Sequence, residues 1–352
     1  MNKLTKVGCS ALCGSLAAIS AANAGDLTVT GGADMTWVSL SNQVTGNPIG
    51  IGSNFTLKGS SELDNGWTVD LTIANSNVGA FSAANISLGM GGLGKLNFNQ
   101  GNSGNGIAAF DDKMPTAWEE SWGAGLSTGI RLALGSGASQ NIMYTTPTVM
   151  GTTMSFTYAP AYGASDTSDK TTKDPGNAKF RSYDGTININ PSFGTEILSG
   201  LNVFLAGATI ESAGSNGTAD IYEGVGGVTY DIGPLSLGYQ VSGDYTGVDS
   251  THGSGNTATW NFYKNHAFGI AFNVNDDLSL SYGEWEARRS GYTDSDISQP
   301  DENGKTIRVD SIQMAYTMGG ASIRLANNSV ENKSWSSGAN FDSTTVSLGL
   351  AF

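Results

Sequence analysis

Hydrophobic and polar residues alternate with period two along most of the chain. Leu27, Val29, Ala33, Met35 and Trp37 are separated by small or polar residues, as are Trp67, Val69, Leu71 and Ile73. Leu235, Leu237, Tyr239 and Val241 repeat the pattern, and Val346, Leu348, Leu350 and Phe352 end the chain on it. The longest row is Trp260, Phe262, Phe268, Ile270, Phe272 and Val274, interrupted by Lys264 and His266. Successive side chains of a strand point to opposite faces, so each such segment reads as a strand with one apolar face. The pattern predicts sixteen strands, at 26–40, 51–62, 67–77, 83–90, 95–100, 140–146, 152–160, 180–190, 201–212, 219–231, 235–246, 259–274, 278–289, 305–318, 321–331 and 341–352.

The connections alternate as well. Short turns (LDNGW at 63–67, GGLG at 91–94, DIGP at 231–234, NDD at 275–277 and GG at 319–320) separate longer polar stretches at 41–48, 101–128, 161–180, 246–258, 290–304 and 332–340. The connections 78–82 and 213–218 are of intermediate length. Short turn followed by long loop is an up-and-down antiparallel meander with one elaborate end. Membrane-spanning barrels of the outer-membrane type have this asymmetry, with tight periplasmic turns and long outer loops. The even strand number puts both termini at the short-turn end. No domain boundary interrupts 25–352.

One glycine-rich stretch invites another reading. SLGMGGLGKLNFNQ (87–100) contains G-x-G-x-x-G at Gly89, Gly91 and Gly94, followed by Lys95. A P-loop needs Ser or Thr after the lysine, where Leu96 stands. A dinucleotide fold needs a helix there, whereas Leu96 and Phe98 alternate with Asn97 and Asn99. Two strands around a glycine-rich turn make a hairpin.

Composition sharpens the class. Lys3 and Lys6, the apolar stretch 7–22 and the small-x-small site Ala22-Asn23-Ala24 form a secretory signal peptide over 1–24. Both cysteines, Cys9 and Cys13, fall inside it, so the exported chain forms no disulfide. Removing two lysines and no acids takes the formal charge from -14 to -16, which excludes nucleic acid as a partner. His252 and His266 are too isolated for a metal site, and no cofactor motif is present. No apolar run of about 18 residues follows the leader, so no membrane helix is expected, but barrel strands need only about 10 residues of alternation.

The order ELDNGWT, ISLGMGGLGKLNFNQ, a long acidic loop and NIMYTTPTVMGTTMSFTYA resembles the general porins of Gram-negative bacteria, of an alphaproteobacterial type. The ending AYTMGGASIRLANNSVENKSW…FDSTTVSLGLAF, closing on Phe352, is similar to the porin C-terminal hairpin and last strand. The resemblance implies a sixteen-stranded, usually trimeric barrel in the outer membrane that passes ions and small hydrophilic solutes. It also implies a third loop folded into the lumen, contact with outer-membrane lipid and lipopolysaccharide, and recognition of Phe352 by barrel-assembly machinery. The resemblance implies a channel rather than an enzyme.

A pore selects by diameter, charge and lining dipoles. The family's constriction loop maps onto about 101–128, whose acids are Asp111, Asp112, Glu119 and Glu120 and whose single base is Lys113. Folded inward, these carboxylates narrow the lumen and favour cations. Strand parity selects basic partners on the wall. Phe55 and Leu57 facing lipid turn Lys58 inward, and Ile323 and Leu325 do the same for Arg324. Leu132 and Leu134 outward turn Arg131 inward, and Ile307 and Val309 outward turn Arg308 inward; Lys95 is a further candidate near a turn. A bulge or one-residue slip reverses any such assignment. Aromatics near strand ends, Trp260 among them, read as interfacial belts. Two other readings use the same residues: a substrate-specific channel, marked by a row of aromatics or bases along the lumen, and an exported soluble β-rich binding protein.

Overall fold

The computed structural model describes residues 27–41, 47–76, 83–101, 104–111, 113–124, 126–137, 139–162, 180–191, 196–211, 219–247, 259–293, 296–300 and 306–351. The leader at 1–24, Asp112, Phe352, the connections 78–82 and 213–218, and most of loops 161–180 and 246–258 lie outside the described residues.

The described strands form one sheet: β1 (Leu27–Leu40), β2 (Ile49–Glu62), β3 (Thr68–Ser76), β4 (Ala83–Gly89), β5 (Lys95–Gln100), β6 (Asn141–Thr145), β7 (Thr152–Ala159), β8 (Ser182–Ile189), β9 (Leu201–Ile210), β10 (Ile221–Ile232), β11 (Leu235–Tyr245), β12 (Thr259–Asn273), β13 (Leu278–Thr293), β14 (Asp296–Pro300), β15 (Ile307–Met318), β16 (Ala321–Glu331) and β17 (Phe341–Ala351). Each wall strand pairs antiparallel with its neighbours, and β1 pairs with β17 from Gly32↔Ala351 to Leu40↔Ser343, so the sheet closes. Closure removes the unpaired edge that lipid could not hydrogen-bond. The short β14 pairs with the outer end of β13, while β13 also pairs directly with β15. The wall is therefore a closed antiparallel barrel of sixteen strands. The stretch 290–304 is expected as a loop, but its described residues 290–293 prolong β13 and 296–300 form β14, because continuing the ladder satisfies backbone groups that a bare loop would leave to solvent. The glycine-rich run 87–100 is a hairpin, β4 and β5 around a single 3-10 turn at Gly91–Leu93.

The pleat sorts the residues. Met35, Trp37, Ile51, Phe55, Leu71, Phe98, Phe156, Leu205, Tyr239, Phe268, Leu280, Ile323 and Leu348 are large, apolar and exposed on the outer face. Ser87, Asn97, Asn141, Thr157, Gln240, Asn328 and Thr345 are buried on the inner face. Inner side chains bond across strands: Ser87 Oγ donates to Asn97 Oδ1 at 2.7 Å, Asn99 Nδ2 to Asn141 Oδ1 at 2.8 Å, and Ser311 Oγ to Asn328 Oδ1 at 2.6 Å. This is an apolar exterior around a polar hollow, the reverse of a soluble domain.

The strands are tilted. A row of directly opposed residues starts at Leu27, the short-turn end of β1, and passes through Gly59, Leu71, Ile86, Phe98, Ile142, Tyr158, Tyr183, Thr209, Tyr222, Tyr245 and Phe262 to Ser290, near the long-loop end of β13. The row of directly opposed residues therefore climbs from the short-turn end toward the long-loop end as it passes around the barrel.

Inside the barrel, the connection 101–140 between β5 and β6 does not stay at the rim. Its Ile107, Phe110 and Met114 join a buried apolar cluster with inward-facing Phe204, Ala206, Val225, Ala267, Trp285, Ile307, Val309, Val330 and Phe341. One half of the hollow is thus filled by this loop, and the half next to β1–β5 stays polar.

Candidate functional site: the constriction and the outer mouth

The loop 101–140 is fastened to the wall at successive strands. Asp184 on β8 is 4 % exposed and accepts from the backbone N–H of Ile107 at 3.3 Å, the N–H of Ser136 at 3.0 Å and Ser136 Oγ at 2.7 Å. Gly106 and Gly135 close over this carboxylate at φ +59° and +51°, where a Cβ would collide with it. Glu223 on β10 accepts from Gly135 N–H at 2.5 Å. Asp244 on β11 pairs with Arg131 Nε, and Asn265 on β12 donates to the Arg131 carbonyl at 2.8 Å. On the far side Ser281 accepts from Ala117 N–H at 2.9 Å, Gln313 Oε1 from Glu119 N–H at 2.9 Å, and Thr345 Oγ1 donates to the Ala124 carbonyl at 2.8 Å. Gln313 also donates to the Glu119 carbonyl at 2.6 Å, so one side-chain amide clamps both the N–H and the C=O of that residue.

Where the loop crosses the middle of the wall, the wall has no side chains. Gly238, Gly269 and Gly283 stand opposite one another on β11, β12 and β13. A Cβ on Gly269 would sit 2.7 Å from the Pro115 carbonyl oxygen, and one on Gly283 3.3 Å from Ser121 Cβ. The glycine row lets the loop lie against the backbone of the sheet. Trp122 then meets Trp285 edge-on, with ring centroids 6.1 Å apart.

These fastenings aim the tip of the loop at β1, β2 and β15–β17. Trp118 and Glu119 border an open recess of about 780 Å³ whose other sides carry Asp34, Asn54, Thr56 and Arg324. The Arg324 guanidinium lies 5.9 Å from the centroid of the Trp118 ring. Two carboxylates and one guanidinium therefore line this open recess.

A second constellation lies nearer the long-loop end. Tyr263 on β12 stands between Asp244 and Arg289 on the ladder, with the Arg131 guanidinium 5.2 Å from its ring centroid. Arg289 lies over Trp260 at 3.8 Å and over Trp335 at 4.7 Å, and Trp335 meets Tyr263 edge-on at 5.4 Å. Trp335 belongs to the turn after β16, where Asn332, Ser334 and Trp335 all have left-handed φ of 52–57°. Such a conformation costs about 1–2 kcal/mol per residue. The turn is held by Asn332 Nδ2 donating to Thr306 O at 2.9 Å, and by Ser334 N–H donating to Thr128 O of the inserted loop at 2.8 Å.

The sequence profile described as Gram-negative porin matches residues 8–352. The chain belongs to the Gram-negative porin family. It is an outer-membrane β-barrel that passes small solutes by passive diffusion and catalyses no reaction. Solved porins share the fold at low identity. The anion-selective porin of Comamonas acidovorans is 16 % identical with a TM-score of 0.61, covering 93 % of this chain and 99 % of that one. OmpT of Vibrio cholerae is 12 % identical at 0.63, covering 94 % and 98 %. Salmonella typhi OmpF, solved with daunomycin, is 12 % identical at 0.62, covering 94 % and 98 %. A sequence comparison with curated proteins finds no match.

The porin distributes the predicted site residues unevenly. Of the loop acids, Glu119 reaches the recess, Glu120 is 6 % exposed, and Asp111 is half-buried near Leu132 and Gln240. Arg324 lines the recess. Lys58 faces the lumen on β2, 4.0 Å from Asp70, and Lys95 shares the inward parity of Asn97 and Asn99. Arg131 is inside the barrel but on the inserted loop rather than the wall, and Leu132 and Leu134 border a lumenal recess instead of facing lipid.

Arg308 is the correction. It shares the outer face with Ile312, 64 % exposed, and bonds Glu284 at 2.7 Å and Asp310 at 3.2 Å there. Ile307 and Val309 point inward, fully buried under the inserted loop, so their hydrophobicity marked the wrong face. Trp260 is likewise not an outer belt residue. The register shifts between Trp260 and Phe262, and this bulge turns Trp260 to the side of Arg289. Asp34, Asp184, Glu223 and Asp244 were overlooked. Parity alone turns them inward, since Ala33 and Met35, Tyr183 and Ile187, Tyr222 and Val228, and Val241 and Tyr245 occupy the outer positions beside them.

Proposed function

We propose that this porin is a mildly cation-preferring diffusion channel whose filter lies between the tip of the inserted loop and the wall of β1, β2 and β16. The observation that carries it is the recess where Glu119 and Asp34 face Arg324. Two acids against one base leave a net negative rim, and their opposed placement sets up a transverse field that orders water and penalises apolar solutes. Asp111 and Glu120 contribute to the potential from behind this front, as does Lys58 from below; Asp112, the remaining loop acid, lies outside the described residues. Resemblance to the general porins, of the alphaproteobacterial type, supports assembly as a homotrimer, cleavage of the leader after Ala24, and delivery by barrel-assembly machinery that reads Phe352. The same resemblance supports contact with lipopolysaccharide, for which Lys264 and the ion-paired Arg288 and Arg308, on the outer face toward the outer end of the barrel, are the candidate cations.

The test is the reversal potential of single channels in planar bilayers under a potassium chloride gradient. The parent prefers potassium. Glu119→Gln with Asp34→Asn shifts the reversal potential toward that of an unselective pore, and Arg324→Gln shifts it the other way. Reversal potentials that ignore both changes would place the filter elsewhere.

A further inference from the structure

We propose that the outer mouth is a binding station for an organic solute with a flat apolar body and a carboxylate, separate from the filter below it. The inference rests on the reading of the chain as an open channel.

A recess of about 540 Å³ lies above the inserted loop, which is room for a small organic molecule. Its lining differs from the rest of the lumen. Ile130, Leu132 and Leu134 of the returning loop border it on one side, with Leu134 41 % exposed, and Tyr162, Tyr263 and Trp335 border it on the others. Exposed leucine in a water-filled polar hollow gains nothing from the channel itself. It gains only when a solute's apolar surface displaces the water from it. The Trp335 turn adopts three left-handed positions to hold its indole here, so the aromatic wall is a maintained feature.

The charges choose the sign of the solute. Asp244 is spoken for by Arg131 Nε and is 2 % exposed, so it cannot meet a visitor. Glu223 also lines the recess, where one of its oxygens, Oε2, is held by the Gly135 N–H. The Arg131 side chain remains 43 % exposed and lines the recess, and its ion pair with Asp244 is made through Nε, so a solute would meet the fork at its terminal amino groups. Arg289 adds a second cation behind Trp335 and, among the described residues, has no carboxylate within ion-pair distance. A planar guanidinium beside aromatic faces matches a carboxylate on a flat apolar body.

The test uses 2-naphthoate, its neutral analogue 2-naphthalenemethanol and the cation 2-naphthylmethylammonium, with purified full-length protein in detergent and tryptophan fluorescence as the readout. Naphthoate should quench saturably and bind about tenfold more tightly than the alcohol, as a charge-assisted hydrogen bond gives. Arg131→Lys keeps the ion pair with Asp244 but loses the fork, and should remove most of that preference while sparing the alcohol. Trp335→Leu should weaken both. Equal or tighter binding of the ammonium probe overturns the proposal, as does parent-like binding in both variants. Conductance measured without any probe separates the two readings. An open channel that binds no naphthoate sinks this inference alone, and a closed pore that still binds it sinks the channel reading.

Discussion

Removing the Asp184 carboxylate should release the inserted loop from β8 without opening the barrel. Asp184 takes three donors from two ends of the loop, the N–H groups of Ile107 and Ser136 and the Ser136 hydroxyl. Hydrogen bonds to a buried carboxylate contribute about 1.5 kcal/mol each at the low end, so Asp184→Ala removes roughly 4.5 kcal/mol from loop docking. That raises the released fraction about two-thousandfold. Asp184→Asn keeps one acceptor oxygen and should cost about half as much. The wall itself loses little, because β8 keeps its full ladders to β7 and β9. The assay is single-channel recording combined with limited proteolysis. Asp184→Ala should show larger open-channel noise, and cleavage within 101–140, while the barrel keeps its heat-modifiable mobility on gels. Asp184→Asn should fall between it and the parent. Parent-like noise and an uncut loop in Asp184→Ala would refute the argument that this carboxylate is what holds the loop.

Gly269→Val should push the loop away from the wall toward β1, since Pro115 stands 2.7 Å from the new Cβ. Overpacking of this kind costs about 1–3 kcal/mol, and single-channel conductance should fall; unchanged conductance would refute the flush contact. Arg308→Ala should leave conductance and reversal potential as in the parent, because its partners Glu284 and Asp310 share the outer face with it. A changed reversal potential would return Arg308 to the lumen. Gln313→Leu removes the clamp on Glu119, and should broaden the conductance histogram without changing yield of folded barrel.

Period-two alternation and turn chemistry are local, so the sequence by itself determined the strands, their antiparallel order, the hairpin at 87–100 and the apolar exterior. The same parity turns Asp34 and Asp184 inward as well, but it was applied to the bases alone and these acids were missed. What local pattern cannot carry is which apolar face meets lipid once part of the chain folds inside. Ile307, Val309, Val330 and Phe204 are apolar because the inserted loop covers them, not because lipid does. Their parity therefore pointed Arg308 the wrong way, and a single bulge did the same for Trp260. The glycine row at 238, 269 and 283 acquires its meaning only when three strands distant from the loop in sequence come to lie beneath Pro115 and Ser121. The tertiary structure alone decided the path of the loop and the residues that face the open hollow. Those depend on contacts across the lumen, which no spacing along one strand can encode.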